Sequence, residues 1–200
     1  MTRKASLAFL LLPLLVQPAL ARDHRDHGIH RPLFVAPNGK PYRAQPGDPY
    51  PVATWFAEAD ADHDGQMTRA EFRANFLAYF DTLDTDHDGE IAPDEIEKYE
   101  TVILPEVHMN PIDLGYSQSD SSSESESGDA PRQPPERPGG AAFFGFSGAP
   151  EPLTAMDSNF NRGISRAEYS AAADRAFRKL DPQSHGYLTL DTLPKTAAQR

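Results

Sequence analysis

Asp60-Ala61-Asp62-His63-Asp64-Gly65-Gln66-Met67-Thr68-Arg69-Ala70-Glu71 and, 24 residues on, Asp84-Thr85-Asp86-His87-Asp88-Gly89-Glu90-Ile91-Ala92-Pro93-Asp94-Glu95 follow one pattern. Each places Asp at positions 1, 3 and 5, Gly at 6, an aliphatic residue at 8 and Glu at 12. A hard cation takes six to eight oxygens at about 2.3 to 2.6 Å, and a tightly turning loop delivers them from alternate residues. Gly65 and Gly89 fall where the chain must bend with positive φ. Gln66 and Glu90 offer main-chain carbonyls there, and Glu71 and Glu95 close each cage with two oxygens.

At every ligand-bearing position except position 9 the two segments resemble the EF-hand family. The resemblance implies helix-loop-helix repeats and calcium ions as ligands. It also implies that Met67 and Ile91 point inward and form the short strand contact by which such loops pair. Position 9 is Thr68 in the first loop and Ala92 in the second, so the second admits more solvent.

The pattern returns 97 residues later. Asp157-Ser158-Asn159-Phe160-Asn161-Arg162-Gly163-Ile164-Ser165-Arg166-Ala167-Glu168 aligns with the first loop, and 181–192 with the second. Asp157, Asn159, Asn161, Gly163 and Glu168 make a weaker candidate site, because amides replace two carboxylates and Arg162 stands where Gly belongs. A non-Gly residue at positive φ costs about 1 kcal/mol or more. The fourth segment has Gln183, His185 and Thr192 at positions 3, 5 and 12, which removes two anionic ligands and the clamp. It is expected to bind no calcium and to serve as a structural partner. Such self-similarity points to two related halves joined by an insertion.

Only the 12 residues Phe72 to Leu83 separate loop 1 from loop 2, so one helix serves both. At 1.5 Å per residue it spans about 18 Å, which puts the loops at its opposite ends. Each loop is therefore expected to pair with one from the other half. Phe72, Phe76, Tyr79, Phe80 and Leu83 supply a helix face that reads first as core and second as a target groove. The fold expected is all-α, a helical body of EF-hand repeats (two full loops, one variant, one degenerate) with a disordered acidic and Pro-rich linker.

Outward from the loops, residues 1–21 carry Arg3 and Lys4, an apolar run from Ala5 to Val16, and Pro18-Ala19-Leu20-Ala21. This is expected to be a secretory signal cleaved after Ala21, giving a periplasmic or secreted protein with no stable membrane anchor. Residues 22–51 hold Pro32, Pro37, Pro41, Pro46, Pro49 and Pro51 and are expected to form a flexible or draped arm, with Leu33, Phe34, Val35 and Tyr42 able to pin part of it. Segments 52–108 and 151–195 are the two repeat pairs. Between them, 109–150 contains Ser121-Ser122-Ser123-Glu124-Ser125-Glu126-Ser127 and reads as a linker. Phe143, Phe144 and Phe146 interrupt it, either packing locally or hooking a protein partner.

The chain carries a formal charge of −11 and no cysteine. Without Arg3 and Lys4 it has 17 basic and 30 acidic residues, a charge of −13. Nucleic acid is an unsuitable partner for that balance, and a disulfide framework is excluded. No nucleophile elbow, zinc-protease helix or phosphate loop occurs, so no enzyme activity is expected.

The close loop spacing, signal and four-loop plan are also similar to lanmodulin, a lanthanide-selective exported bacterial EF-hand protein. Lanmodulin loops carry Pro at position 2 and Asp at position 9. Here those positions hold Ala61, Thr85, Ser158, Pro182 and Thr68, Ala92, Ser165, Thr189. The chain more closely resembles the broad set of exported bacterial EF-hand proteins over roughly 52–104 and 150–194, which implies Ca²⁺ buffering or sensing. Lanthanide capture and a calcium-rigidified interaction module are the alternatives. After cleavage, Arg22-Asp23-His24 would resemble an amino-terminal Cu²⁺ and Ni²⁺ motif, built from the amine, two amides and one imidazole. Solvated tail histidines are the plainer reading of the same residues.

Overall fold

Four helices and six short strands interleave along the chain in a computed structural model that describes residues 31–109, 114 and 138–199. The expected signal over 1–21, the expected amino-terminal copper and nickel motif Arg22-Asp23-His24 and the serine run 121–127 lie outside the described residues. Among the described residues no helix is long and apolar enough to cross a membrane.

The helices are α1 (Val52–Ala59), α2 (Arg69–Leu83), α3 (Pro93–Lys98) and α4 (Arg166–Leu180). Thr68 starts α2 and Ser165 starts α4, each accepting a hydrogen bond from the amide of the glutamate three residues on, while Glu71 and Glu168 reach back to the cap amides. Phe72, Phe76, Tyr79, Phe80 and Leu83 are all buried on α2, the face expected from their spacing.

That face packs against α4, running antiparallel. Phe72 lies 5.5 Å from Phe177 and Phe80 5.4 Å from Tyr169, ring centre to ring centre, both edge-on. Two ion pairs bracket the contact, Arg69 with Asp174 at 2.9 Å and Arg166 with Asp81. These pairs are exposed and worth little each; the aromatic contact carries the joint.

Pairing across the halves follows the spacing argument. Strand β3 (Met67–Thr68) joins β6 (Tyr187–Leu188), and β4 (Glu90–Ile91) joins β5 (Ile164–Ser165), both antiparallel. Met67 faces Leu188 and Ile91 faces Ile164, and all four are buried.

The body is helical with short paired strands, and over 33–43 the arm is ordered rather than loose, pinned through the expected Leu33, Phe34, Val35 and Tyr42. Strands β1 (Leu33–Val35) and β2 (Pro41–Arg43) form an antiparallel hairpin that contributes Leu33, Phe34, Val35 and Tyr42 to the core. Phe34 is fully buried among Tyr42, Tyr50, Trp55 and Phe146, with ring centres 5.1 to 6.3 Å apart. The turn inserts between the halves. Tyr169 donates its hydroxyl to Asn38 O, and Tyr99 donates to Gly39 O at 2.6 Å. Asn38 also donates through Nδ2 to Asn75 Oδ1 at 3.0 Å. Gly39 has φ +89°, and a methyl there would stand 3.1 Å from the Tyr99 hydroxyl. Proline-rich composition argues against helix, and a hairpin meets that restriction as well as a loose arm does.

The end of the expected linker is also packed. From Gly140 to Phe146 the chain turns through a 3₁₀ segment that buries Phe143, Phe144 and Phe146. Val35 N donates to Phe144 O at 3.1 Å, and Lys179 Nζ donates to Phe146 O and Ser147 O at 3.1 and 2.9 Å. Local packing is thus the observed role of these phenylalanines.

If the hairpin is core, Phe34→Ala should lower unfolding stability by about 3 to 5 kcal/mol, as truncation of a buried phenylalanine does. Urea denaturation checks this, and a loss below about 1 kcal/mol would return the hairpin to the surface.

Candidate metal centres

Helix α1 ends where Asp60 N donates to Phe56 O at 2.9 Å, and the chain then coils back on itself. His63 and Gly65 have φ of 58° and 84°, which folds the segment around the Asp60 carboxylate. Asp60 Oδ2 accepts from Gly65 N at 2.9 Å, Asp62 Oδ1 from Asp64 N at 3.2 Å, and Asp64 Oδ1 from Gln66 N at 2.7 Å. Glu71 closes the loop, its Oε1 accepting from Ala61 N at 3.0 Å and its Oε2 from Thr68 N at 2.8 Å and Thr68 Oγ1 at 2.7 Å.

One oxygen from each of Asp60, Asp62 and Glu71 lies within 4.8 Å of the others. Asp60 Oδ1 is buried and has no hydrogen-bond partner among the described residues. A buried carboxylate oxygen without a donor is costly unless a cation meets it. The donor set therefore fits a hard divalent ion, with Asp64 and the Gln66 carbonyl completing the candidate ligands.

The second loop repeats the arrangement between α2 and α3. Asp84 Oδ1 accepts from Asp88 N and Oδ2 from Gly89 N, both at 3.1 Å, and Asp88 Oδ1 accepts from Glu90 N at 2.9 Å. Glu95 Oε1 accepts from Thr85 N and Oγ1 at 2.5 and 2.7 Å, and Oε2 from Ala92 N at 3.0 Å. Asp84, Asp86 and Glu95 again bring three oxygens within 4.8 Å. Ala92 has no hydroxyl, so this loop lacks the side-chain cap that Thr68 gives the first.

In the third segment the scaffold survives the altered sequence. Asp157 Oδ2 accepts from Arg162 N at 2.9 Å and Asn161 Oδ1 from Gly163 N at 3.0 Å. Glu168 accepts from Ser158 and Ser165 as Glu71 does from Ala61 and Thr68. Arg162 takes φ +74°, the strained conformation expected at position 6. With amides at Asn159 and Asn161, only Asp157 and Glu168 bring charge.

Gly163 lies under the side chain of a neighbouring loop, a contact that the sequence alone conceals. A methyl on it would stand 1.6 Å from Glu90 Oε1, so the Glu90 side chain of the second loop lies across its backbone. The one visible sign was the glycine displaced by a single position. In the fourth segment Asp181 Oδ2 accepts from Gly186 N at 2.8 Å, and Thr192 replaces the clamp, its Oγ1 accepting from Thr189 N at 3.1 Å.

The clamp glutamates are all held below their ordinary pKa. For Glu71 the main cause is the Thr68 amide, followed by the Thr68 hydroxyl. Burial pushes Glu95 up, but the hydrogen bonds from Thr85 and Ala92 outweigh it. Glu168 is lowered to about 2, first by the Ser165 hydroxyl and then by the Ser165 amide.

Residues 52–77 and 78–98 match the family model described as EF hand. The two matches cover the first two loops with their flanking helices and support calcium ions as the ligand. No curated protein and no solved structure matches the chain.

A depressed carboxylate stabilises the fold above its unfolded pKa and loses that contribution as pH falls through the folded value. In metal-free protein, the stability difference between wild type and Glu168→Gln should be full above pH 4.5 and close as pH approaches about 2. Chemical denaturation across that range measures it; a difference that stays constant with pH would show that the clamp carries no such linkage.

Proposed function

We propose that the chain is an exported calcium-binding protein that takes up Ca²⁺ in Asp60–Glu71 and Asp84–Glu95, with Asp157–Glu168 as a weaker third site. The observation that carries the reading is the convergence of three carboxylates in each of the first two loops, in the first of them beside an Asp60 oxygen that no donor among the described residues satisfies. Asp60, Asp62, Asp64, the Gln66 carbonyl and Glu71 hold one ion; Asp84, Asp86, Asp88, the Glu90 carbonyl and Glu95 hold the other. Calcium neutralises acids that otherwise repel one another, so binding and folding are coupled.

Buffering fits better than sensing. A sensor exposes a Met-rich apolar groove on binding calcium. Here Met67 and Met156 are buried, Met109 is the one exposed methionine among the described residues, and the α2 aromatics are enclosed against α4 and the hairpin. Loops outside the cell meet abundant calcium and commonly bind it with Kd of about 10⁻⁴ to 10⁻³ M.

Calorimetric titration of metal-stripped protein with Ca²⁺ should show two sites and at most a weaker third. Glu71→Gln and Glu95→Gln should each remove one of the two, and an apolar-surface dye should not brighten with calcium. Unchanged stoichiometry in both variants would sink the assignment, and a calcium-dependent rise in dye fluorescence would replace the buffer with a sensor. A parallel La³⁺ titration separates an ordinary charge-driven preference from lanthanide specialisation. Folding by La³⁺ and not by Ca²⁺ would overturn calcium as the working ion.

A further inference from the structure

Away from the loops, α3 continues into a π-turn (Tyr99–Ile103) and a 3₁₀ segment (Pro105–His108). The chain returns beside them at Pro150 and Glu151. The approach is close: a methyl on Gly140 would stand 2.8 Å from both Val107 O and Pro150 O, and Ala141 N donates to Pro150 O at 2.9 Å. This packing sets three side chains from distant parts of the sequence around one point. His108 Nε2 lies 3.7 Å from Glu100 Oε2, and His108 Nδ1 lies 3.8 Å from Glu151 Oε1. One ligand atom from each of the three residues falls within 4.8 Å of the other two.

We propose that Glu100, His108 and Glu151 form a binding site for a divalent first-row transition metal of the Zn²⁺ class, separate from the calcium loops. Zinc bonds of about 2.0 to 2.2 Å place tetrahedral ligand atoms about 3.3 to 3.6 Å apart. The observed separations of 3.7 and 3.8 Å run from the two different ring nitrogens, and one ligand atom from each residue lies within 4.8 Å of the others, so a turn of the ring is needed to bring one nitrogen to both carboxylates. His108 is 56 % exposed, so its ring is free to turn one nitrogen towards both carboxylates. Among the described residues neither Glu100 nor Glu151 pairs with a lysine or arginine; the nearby Arg43 is engaged with Glu106 at 2.7 Å.

The two carboxyls crowd each other in consequence. A cation between them would relieve that repulsion. Imidazole selects the metal, because nitrogen suits zinc and its neighbours whereas calcium keeps to oxygen. Three protein ligands leave a position for water. The bound ion would join the end of the first half, through Glu100 and His108, to the start of the second, through Glu151.

The test is Zn²⁺ calorimetry on the full chain kept saturated with Ca²⁺, so that the loops are filled and their failure would be read separately in the calcium titration. Co²⁺ absorption serves as a second readout of nitrogen and oxygen ligands. His108→Ala and Glu151→Gln should each weaken one Zn²⁺ site by at least about tenfold and abolish the corresponding Co²⁺ bands, with calcium stoichiometry and circular dichroism unchanged. His63→Ala is the control and should leave the site intact. Zn²⁺ affinity and Co²⁺ spectra that are the same in wild type, His108→Ala and Glu151→Gln, or lost in His63→Ala, would overturn the proposal and assign the zinc to exposed histidines elsewhere.

Discussion

The shortness of α2 is the constraint from which the architecture follows. Its 15 residues begin inside one loop and end at the first aspartate of the next, so the two loops cannot reach each other. Each must find its strand partner in the other half, and β3 with β6 and β4 with β5 are the result. Neither pair of loops then completes a strand pair by itself. Joining them buries Phe72, Phe76 and Phe80 against Tyr169 and Phe177, which turns a local spacing rule into the main apolar interface.

Joining two helical halves this way leaves a space that helices alone do not fill, and the hairpin fills it. Its turn exposes carbonyls to the interior, where unsatisfied backbone is costly. Tyr99 from the first half and Tyr169 from the second each donate to one of them. Burial raises both phenols well above their ordinary pKa, so they remain donors. The hairpin therefore reports on the seating of both halves at once, through two adjacent residues. Gly145 shows the same closeness: a methyl there would stand 2.5 Å from Val35 O.

What was legible in the sequence was what depends on short-range spacing. The loops, the shared helix, its buried face and the cross-pairing all follow from intervals of 12 and 24 residues. What was not legible depends on contacts between distant segments. Six prolines between 32 and 51 speak against helix without distinguishing a loose arm from a core hairpin. Phe34 and Phe146 meet across more than a hundred residues, and nothing in either neighbourhood announces the other. Glu90 over Gly163 and His108 between Glu100 and Glu151 are of the same kind.

The fourth segment separates the demands of folding from those of binding. In all four segments the first aspartate's Oδ2 accepts from the amide at position 6: Asp60 from Gly65, Asp84 from Gly89, Asp157 from Arg162, Asp181 from Gly186. That bond sets the turn and aims the strand residue inward, and it needs one carboxylate. A hard cation needs several more oxygens, most of them anionic. Loss of acids at positions 3, 5 and 12 can therefore remove a metal without removing the strand. Leu188 still covers Met67, and both are buried. The same reasoning explains the asymmetry of the molecule: the first loop, rich in candidate ligands, pairs with the fourth, which keeps the turn, the apolar residue and the first aspartate but not the acids at positions 3, 5 and 12. The loop with the larger set of candidate ligands thus has as its strand partner the one with fewer acids.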